Sequence, residues 1–334
     1  MYRKEIRKRK KRHRRRLVLI PLFLIIFYTI GYGSYLTFKL ANATDNSIEK
    51  LKRGEKSDLR EDKVDVNKDN FSVLFIGVDA REGERVSRSD ALILATFNKK
   101  DNSVKMVSIP RDSYVEISGV GMDKINHAHA YGGVDLAVKS VENLFDVPVD
   151  HYVRVDFKAF IDIVDALGGV EVNVPKTFSV QDSKDRHDAI TLHEGNQQLD
   201  GEEALAFVRM RKQDPTGDIG RGERQRQVIK AIIEKGASFS SITKYDDVID
   251  GLEGNIQMDL NFKEIVGLHG YAGEIDKIDS LELKGENSNN GVFYYILDET
   301  SVEEISNSFK AHLELDDDKY EKSPEATNNE STSY

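Results

Sequence analysis

Apolar residues fall into two regimes along the 334-residue chain: one unbroken run near the amino terminus, then short strand-like and helical patterns between residues 70 and 312. In the second regime SVLFIGV (72–78) is a near-continuous apolar run of strand length. ALILATF (91–97) and SVKMVSI (103–109) follow, joined by the polar turn NKKDN. A helical stripe covers 133–145, a strand 149–157, a helix 159–169 stopped by Gly168-Gly169, and a strand 170–174. Residues 200–208 and 221–236 read as helices. The region 245–312 adds further helices and the strands IDSLELKG and GVFYYILD. This alternation predicts a layered α/β domain over residues 71–313.

The amino-terminal run, LVLIPLFLIIFYTIGYGSYLTF (17–38), carries no charge. As a helix it extends roughly 33 Å, enough for a bilayer core of about 30 Å. Residues 1–16 hold eleven Lys/Arg and one Glu, which predicts that this end is a cytoplasmic tail and that everything after Lys39 lies outside the cell. Ala41-Asn42-Ala43 offers a rival reading as a signal-peptide cleavage site, but such apolar regions usually run only about 7–15 residues. The reading is a single-pass type II anchor in the cytoplasmic membrane. Residues 39–70 are polar and read as a linker, and residues 314–334 have the composition of a disordered tail.

The whole chain has a formal net charge of −10, so setting aside the +10 of residues 1–16 leaves −20 on the remainder. A body that acidic repels a nucleic-acid backbone, and no nucleic-acid partner is expected. Cysteine is absent, which excludes disulfides and thiol nucleophiles.

Against that acidic background FVRMRKQDPTGDIGRGERQR (207–226) gathers five arginines and a lysine. Arg209 and Arg211, two apart, point to one side if the segment is extended. Arg221 and Gln225, four apart, share a helix face, and Asp218 precedes that helix. Arg224 and Arg226, alternating with Glu223 and Gln227, read as a solvated face. Clustered guanidiniums repel one another by amounts comparable to their attraction for an anion; a multiply charged anion, a diphosphate by preference, fits such a cluster.

If the first three strands form an antiparallel meander, Asp79 and Asp90 sit at one sheet edge and the third strand delivers Arg111 to it. The intervening loop adds Arg88. Two carboxylates there suit a hard cation such as Mg²⁺; the competing reading is that both aspartates cap strands in turns. GMDKINHAHAYGG (121–133) reads as a polar loop bearing Asp123, Lys124, Asn126 and His127. Its His127 and His129 are a metal pair or, more simply, surface histidines.

FIGVDAR…SRSDALIL, VSIPRDSYVEI, DKINHAHAYGG and LDGEEALAFVRMRKQDPTGDIGRGERQRQ, in that order behind a basic tail and one apolar helix, resemble the LytR-CpsA-Psr family over roughly residues 70–240. The resemblance implies a three-layer α/β/α sandwich with a central mixed, mainly antiparallel and largely five-stranded sheet and an apolar pocket for a lipid. It implies an extracytoplasmic phosphotransferase of Gram-positive envelopes. Such an enzyme moves an anionic glycopolymer, wall teichoic acid or capsular polysaccharide, from a polyprenyl-pyrophosphate carrier to peptidoglycan. By motif position Asp79 and Asp90 hold Mg²⁺, with Mn²⁺ an alternative. Arg88, Arg111, Lys124, Arg209, Arg211 and Arg221 grip the pyrophosphate; Asp218 and Gln225 belong to the same motif. The proton acceptor stays open between Asp218 and the metal-binding pair. Rival readings are a non-catalytic polysaccharide-binding envelope protein, a membrane-bound regulator of transcription, and a pyrophosphatase in which water replaces the sugar hydroxyl.

Overall fold

A computed structural model describes residues 35, 38, 39, 42, 47–79, 87–184, 186–210, 218–237, 255–272, 278–288 and 291–315. The anchor read at 17–38 therefore lies, apart from Tyr35 and Phe38, outside the described residues, as do the basic tail, Arg211 and residues 316–334. Among the described residues no helix is long and apolar enough to cross a membrane.

Three strands form the predicted meander: β1 (Phe71–Val78), β2 (Ser89–Asn98) and β3 (Ser103–Ser108), with β1/β2 and β2/β3 both antiparallel. A hairpin, β4 (Tyr114–Ile117) and β5 (Gly121–Lys124), leads into α1 (Ile125–Phe145). Then β6 (His151–Asp156) returns parallel to β1, with Val78 opposite Asp156. Next come α2 (Phe157–Ala166), β7 (Val170–Val174), the hairpin β8 (Phe178–Val180) and β9 (Ile190–Leu192), and β10 (Gly195–Leu199) paired to β7. Helices α3 (Gly201–Arg209) and α4 (Asp218–Ala237) follow, then β11 (Ile256–Met258), α5 (Phe262–Ala272), β12 (Ile278–Leu281), the hairpin β13 (Gly285–Ser288) and β14 (Tyr294–Leu297), and α6 (Glu299–Leu313).

The central sheet runs β11-β6-β1-β2-β3-β12, six strands where five were expected, because β11 and β12 add short edges antiparallel to β6 and parallel to β3. It is mixed and mainly antiparallel. The near-continuous apolar runs follow from burial of both faces. Leu74, Ile76, Leu92 and Leu94 pack under α1 and α6 through Val138, Val141, Phe145 and Phe309. Val73, Ile93, Ala95 and Met106 face α2, α4 and α5 through Ala159, Ile163, Ile229 and Tyr271. Helices on both faces make the layered α/β/α arrangement.

Three expectations are corrected. Residues 121–133 are not a loop: 121–124 form β5 and 125–131 are helical, and the glycine pair read as a boundary is a kink. Gly132 and Gly133 leave helical geometry there, Gly133 at φ 66°. Phe207–Arg209 are helical and not extended, since Arg209 ends α3. Residues 47–70 are not a free linker. Leu51, Val64 and Val66 are buried, and Arg53 and Arg60 reach Glu142 and Asp150, each at 2.7 Å. Those apolar anchors are sparse, so composition alone hides the packing.

Candidate active site

Antiparallel pairing of Val78 with Ser89 brings Asp79 and Asp90 to one edge of the sheet. The third strand ends at Ser108, and Pro110 turns the chain: Ser113 closes the turn through its backbone N–H to the Pro110 carbonyl at 3.0 Å. Arg111 is thereby set beside Asp90, its Nη1 2.5 Å from Oδ1. Asp79, Asp90 and Arg111 all line one cavity of about 960 Å³.

The cavity has a polarity gradient that two walls share. Along β1 the lining passes from Phe75 through Gly77 to Asp79, alternate residues of one strand face. Along α4 it passes from Ile232 and Ile233 through Ile229 to Gln225 and Arg221, the i, i+4 stripe of one helix face. Val153, Val155, Phe160 and Ile163 extend the apolar part. Gly222 permits the close seating of α4 on β3, since a Cβ there would stand 3.0 Å from Ser108 Oγ. Ser108 Oγ also donates to Gln225 Oε1 at 3.2 Å.

Arg209 reaches the same edge from α3, a helix opened by a capping box between Asp200 and Glu203. Its guanidinium lies over Phe157, 4.8 Å from the ring centroid, with Nη2 3.9 Å from Asp79 Oδ2 and Nη1 donating to the Asp182 carbonyl at 3.5 Å.

Six of the residues singled out in the sequence thus line the cavity: Asp79, Asp90, Arg111, Arg209, Arg221 and Gln225. Lys124 stands one link behind. Its Nζ bonds Asp112 Oδ1 at 2.8 Å, and Asp112 Oδ2 faces Arg111 Nε at 3.7 Å. Arg88 is exposed at the start of β2, its charge acting on Tyr131. Asp218 opens α4, but its side chain and all of Arg211 lie outside the described residues. Arg224 and Arg226 are not a solvated face. Both are buried, Arg224 donating to the carbonyls of Phe207 and Met210, Arg226 paired with Glu223.

The histidines of 121–133 are neither a metal pair nor surface groups. His129 is buried with Nδ1 2.5 Å from the Ser87 carbonyl, and burial lowers its pKa. His127 Nδ1 lies 2.8 Å from Asp123 Oδ2, which also accepts from Tyr131 OH at 2.9 Å. Burial pushes the Asp123 carboxyl up, but its bonds from His127, the Lys124 N–H and Tyr131 outweigh this and hold it below the usual range. Asp156, at the cavity wall, is shifted upward by burial against the opposing Ala159 N–H and Arg154.

Sequence reasoning missed Ser179, Gln181, His187 and Asp188, which line the cavity from the β8–β9 hairpin. Three-residue strands joined by a polar segment carry no periodicity that would have placed them. Among the described residues no three His, Cys, Asp or Glu gather around a common point. Asp79 and Asp90 are two carboxylates at this edge that could hold a hard ion, which would complete its shell with water and substrate oxygens.

The cavity is apolar in its depth and charged at the sheet edge, where guanidiniums and carboxylates meet, the form of a site whose polarity would suit an amphiphile with an anionic head. The particular lineage is set by sequence: the chain belongs to the LytR-CpsA-Psr family, whose model, described as "LytR_cpsA_psr family", matches residues 34–311. It is 44% identical over 316 residues to the polyisoprenyl-teichoic acid–peptidoglycan teichoic acid transferase TagT of Bacillus subtilis, covering 92% of this chain and 98% of the relative. Among solved structures it resembles "TagT bound to LI-WTA" (TM-score 0.70, 42% identity, 80% of this chain and 100% of that one). It also resembles YwtF (TagT) with bound octaprenyl pyrophosphate lipid (TM-score 0.66, 40% identity, 80% and 100%).

Proposed function

We propose that this protein transfers an anionic glycopolymer, wall teichoic acid or a capsular polysaccharide, from a polyprenyl-pyrophosphate carrier to peptidoglycan. The observation that carries the reading is the cavity itself, with an apolar stem sized for a prenyl chain and a guanidinium–carboxylate edge for a pyrophosphate. The family and its teichoic acid transferases supply the class of donor and acceptor.

Phosphoryl transfer asks a protein for positioning and charge neutralisation more than for covalent chemistry. Arg111, Arg209 and Arg221 bring three fixed positive charges to the pyrophosphate, where they stabilise charge developing on the departing lipid phosphate. Phe157 under Arg209 and Asp182 beside it hold that guanidinium in place. Asp79 and Asp90 would hold Mg²⁺, or Mn²⁺ in its stead, which supplies further charge neutralisation at the phosphate oxygens. The sugar hydroxyl of peptidoglycan attacks phosphorus, the bond to the lipid phosphate breaks, and a phosphodiester joins polymer to wall. Residues 17–38, as a type II anchor, would keep the domain on the outer face of the cytoplasmic membrane, where carrier and acceptor meet.

The test is to incubate the full chain in detergent with a defined polyprenyl-pyrophosphate glycan and a peptidoglycan oligosaccharide, and to identify products by mass spectrometry. A phosphodiester-linked conjugate together with lipid monophosphate supports the reading. Release of free glycan phosphate alone assigns a pyrophosphatase, and binding without turnover assigns a carbohydrate-binding protein.

A further inference from the structure

The exposed apolar surface is concentrated in one place. Of the seven large apolar side chains exposed among the described residues, five lie on the β4–β5 hairpin, the start of α1 and the β13–β14 hairpin: Val120, Met122, Tyr131, Val292 and Ile296. The hairpins are joined through a bridge between Ser113 and Tyr295, a bond from the Tyr295 N–H to the Asp112 carbonyl at 2.9 Å, and the tilted Tyr114–Tyr294 ring pair at 4.6 Å. None of these elements contributes a residue to the cavity wall. They adjoin the segment that carries Arg111, because the first N–H groups of α1 bond backwards: Ile125 to the Ser113 carbonyl at 2.9 Å and Asn126 to that of Arg111 at 3.2 Å. A clustered exposed patch of this kind marks an interaction surface.

Two occupants compete, a bilayer and a glycan. On both hairpins the exposed apolar residue has an exposed carboxylate directly across the strand pair, Met122 opposite Glu116 and Ile296 opposite Glu286. Insertion into hydrocarbon would desolvate those acids at great cost. A sugar polymer, with apolar ring faces and a rim of hydroxyls, matches alternating apolar and acidic positions. In-line displacement also requires the acceptor to approach opposite the leaving lipid phosphate, on the side the donor cavity leaves open.

At the inner margin of this patch stand Asp123, His127 and Tyr131, with the His127 and Tyr131 rings 5.8 Å apart. The Asp123 carboxylate accepts a hydrogen bond from the His127 Nδ1–H at 2.8 Å, and the Tyr131 hydroxyl donates a second at 2.9 Å. That arrangement leaves the Nε2 lone pair as the acceptor, the orientation a carboxylate imposes on a histidine base.

Building on the function proposed above, we propose that this patch docks the acceptor glycan of peptidoglycan and that His127, oriented by Asp123, removes the proton of the attacking sugar hydroxyl. The hydroxyl oxygen bonds to the phosphorus retained by the glycopolymer, and the bond from that phosphorus to the lipid phosphate oxygen breaks. The electron pair leaves with the lipid phosphate, and the proton rests on Nε2 before passing to water. The titratable and charged groups around His127 are Asp123 on β5, Lys124 at the helix cap, Tyr131 on its own helix, Arg88 just before β2 and Tyr294 on β14.

The experiment compares the full chain in detergent with its His127→Gln, Asp123→Asn, Met122→Ser and Tyr131→Ala variants. It uses a polyprenyl-pyrophosphate disaccharide donor and an uncrosslinked peptidoglycan oligosaccharide acceptor over a range of pH. His127→Gln is expected to lower kcat at least ~100-fold and to erase the acidic limb of the profile, with donor KM unchanged. Asp123→Asn, which keeps the shape and removes the charge that sets the tautomer, is expected to shift that limb and lower kcat. Met122→Ser is expected to raise acceptor KM about tenfold with donor binding unchanged, and Tyr131→Ala, which also removes a bond to Asp123, to raise it and lower kcat together. Wild-type-like kcat and pH profile in His127→Gln overturn the base. Unchanged acceptor KM in the patch variants, with weaker flotation on anionic phospholipid vesicles, assigns the patch to the membrane and overturns the docking surface. Wild-type protein that transfers to no glycan overturns the function proposed above; wild-type transfer that His127→Gln leaves intact overturns only this inference.

Discussion

Arg224 fixes the end of the helix that delivers Arg209, and replacing it with methionine tests how the site is held. A helix leaves its last carbonyls without partners, and in α3 those of Phe207 and, just beyond the helix, Met210 receive Nε at 3.0 Å and Nη2 of Arg224. The side chain is 3% exposed, so water does not replace what is lost. Two charge-assisted bonds at about 1.5–3 kcal/mol each and a cation at a helix C-terminus at about 0.3–1 kcal/mol, less what the apolar stem of methionine recovers, give a loss of about 3–5 kcal/mol. For a domain of this size each kcal/mol lowers Tm by roughly 2–4 °C, so Arg224→Met is expected to melt on the order of 10 °C lower by calorimetry. Arg209 lies two residues past Phe207, and its grip on the donor should loosen: donor KM rises well before the protein unfolds. A variant with wild-type Tm and wild-type donor KM would refute the claim that Arg224 positions Arg209.

Arg111→Ala and Asp90→Ala are each expected to lower transfer by about 100-fold or more, read as conjugate formed per minute, with the far-UV circular dichroism of the wild type. Chelation with EDTA is expected to abolish transfer and Mg²⁺ to restore it, Mn²⁺ partly, whereas apolar-tail binding read by native mass spectrometry survives. His312, buried between Thr96 Oγ1 and Ser103 Oγ at 2.8 and 2.9 Å, is pulled down to about 4 by burial and by the charge of Lys105. The unfolded chain, titrating near 6.5, takes the proton first, so this contribution is complete above about pH 7 and is lost between there and pH 4. It amounts to at most about 3 kcal/mol, and His312→Asn should flatten the urea-midpoint profile in that window.

Much of the site was legible in the sequence, for identifiable reasons. Asp79, Asp90 and Arg111 converge because two strand ends and one return are dictated by a short-loop meander, and the apolar runs mark those strands without ambiguity. Arg221 and Gln225 share a face by helical spacing alone. What failed depended on distant contacts. Arg224 and Arg226 alternate with polar residues as a surface face does, and their burial comes from tertiary packing, for Arg224 from the docking of α3 against α4. The residues 125–131 look like a loop because Gly132-Gly133 ends the apolar stripe, yet the chain continues in helix across a kink set by Gly133. The β8–β9 hairpin reaches the cavity through pairing of three-residue strands and the Ser183–Glu202 bond to α3, neither of which has a local signature. Residues 47–70 look like linker because burying them takes only Leu51, Val64 and Val66, helped by the arginine bonds to Glu142 and Asp150.

The most direct test is to ask what fills the cavity. A polyprenyl pyrophosphate bearing a photoreactive diazirine on its prenyl chain is to be bound to the full protein, irradiated and mapped by peptide mass spectrometry. The account predicts labels on residues 153–163 and 229–233, suppressed by unlabelled carrier and weakened in Arg111→Ala. Labelling confined to the outer faces of α1 or α6, or capture indifferent to Arg111, would contradict it.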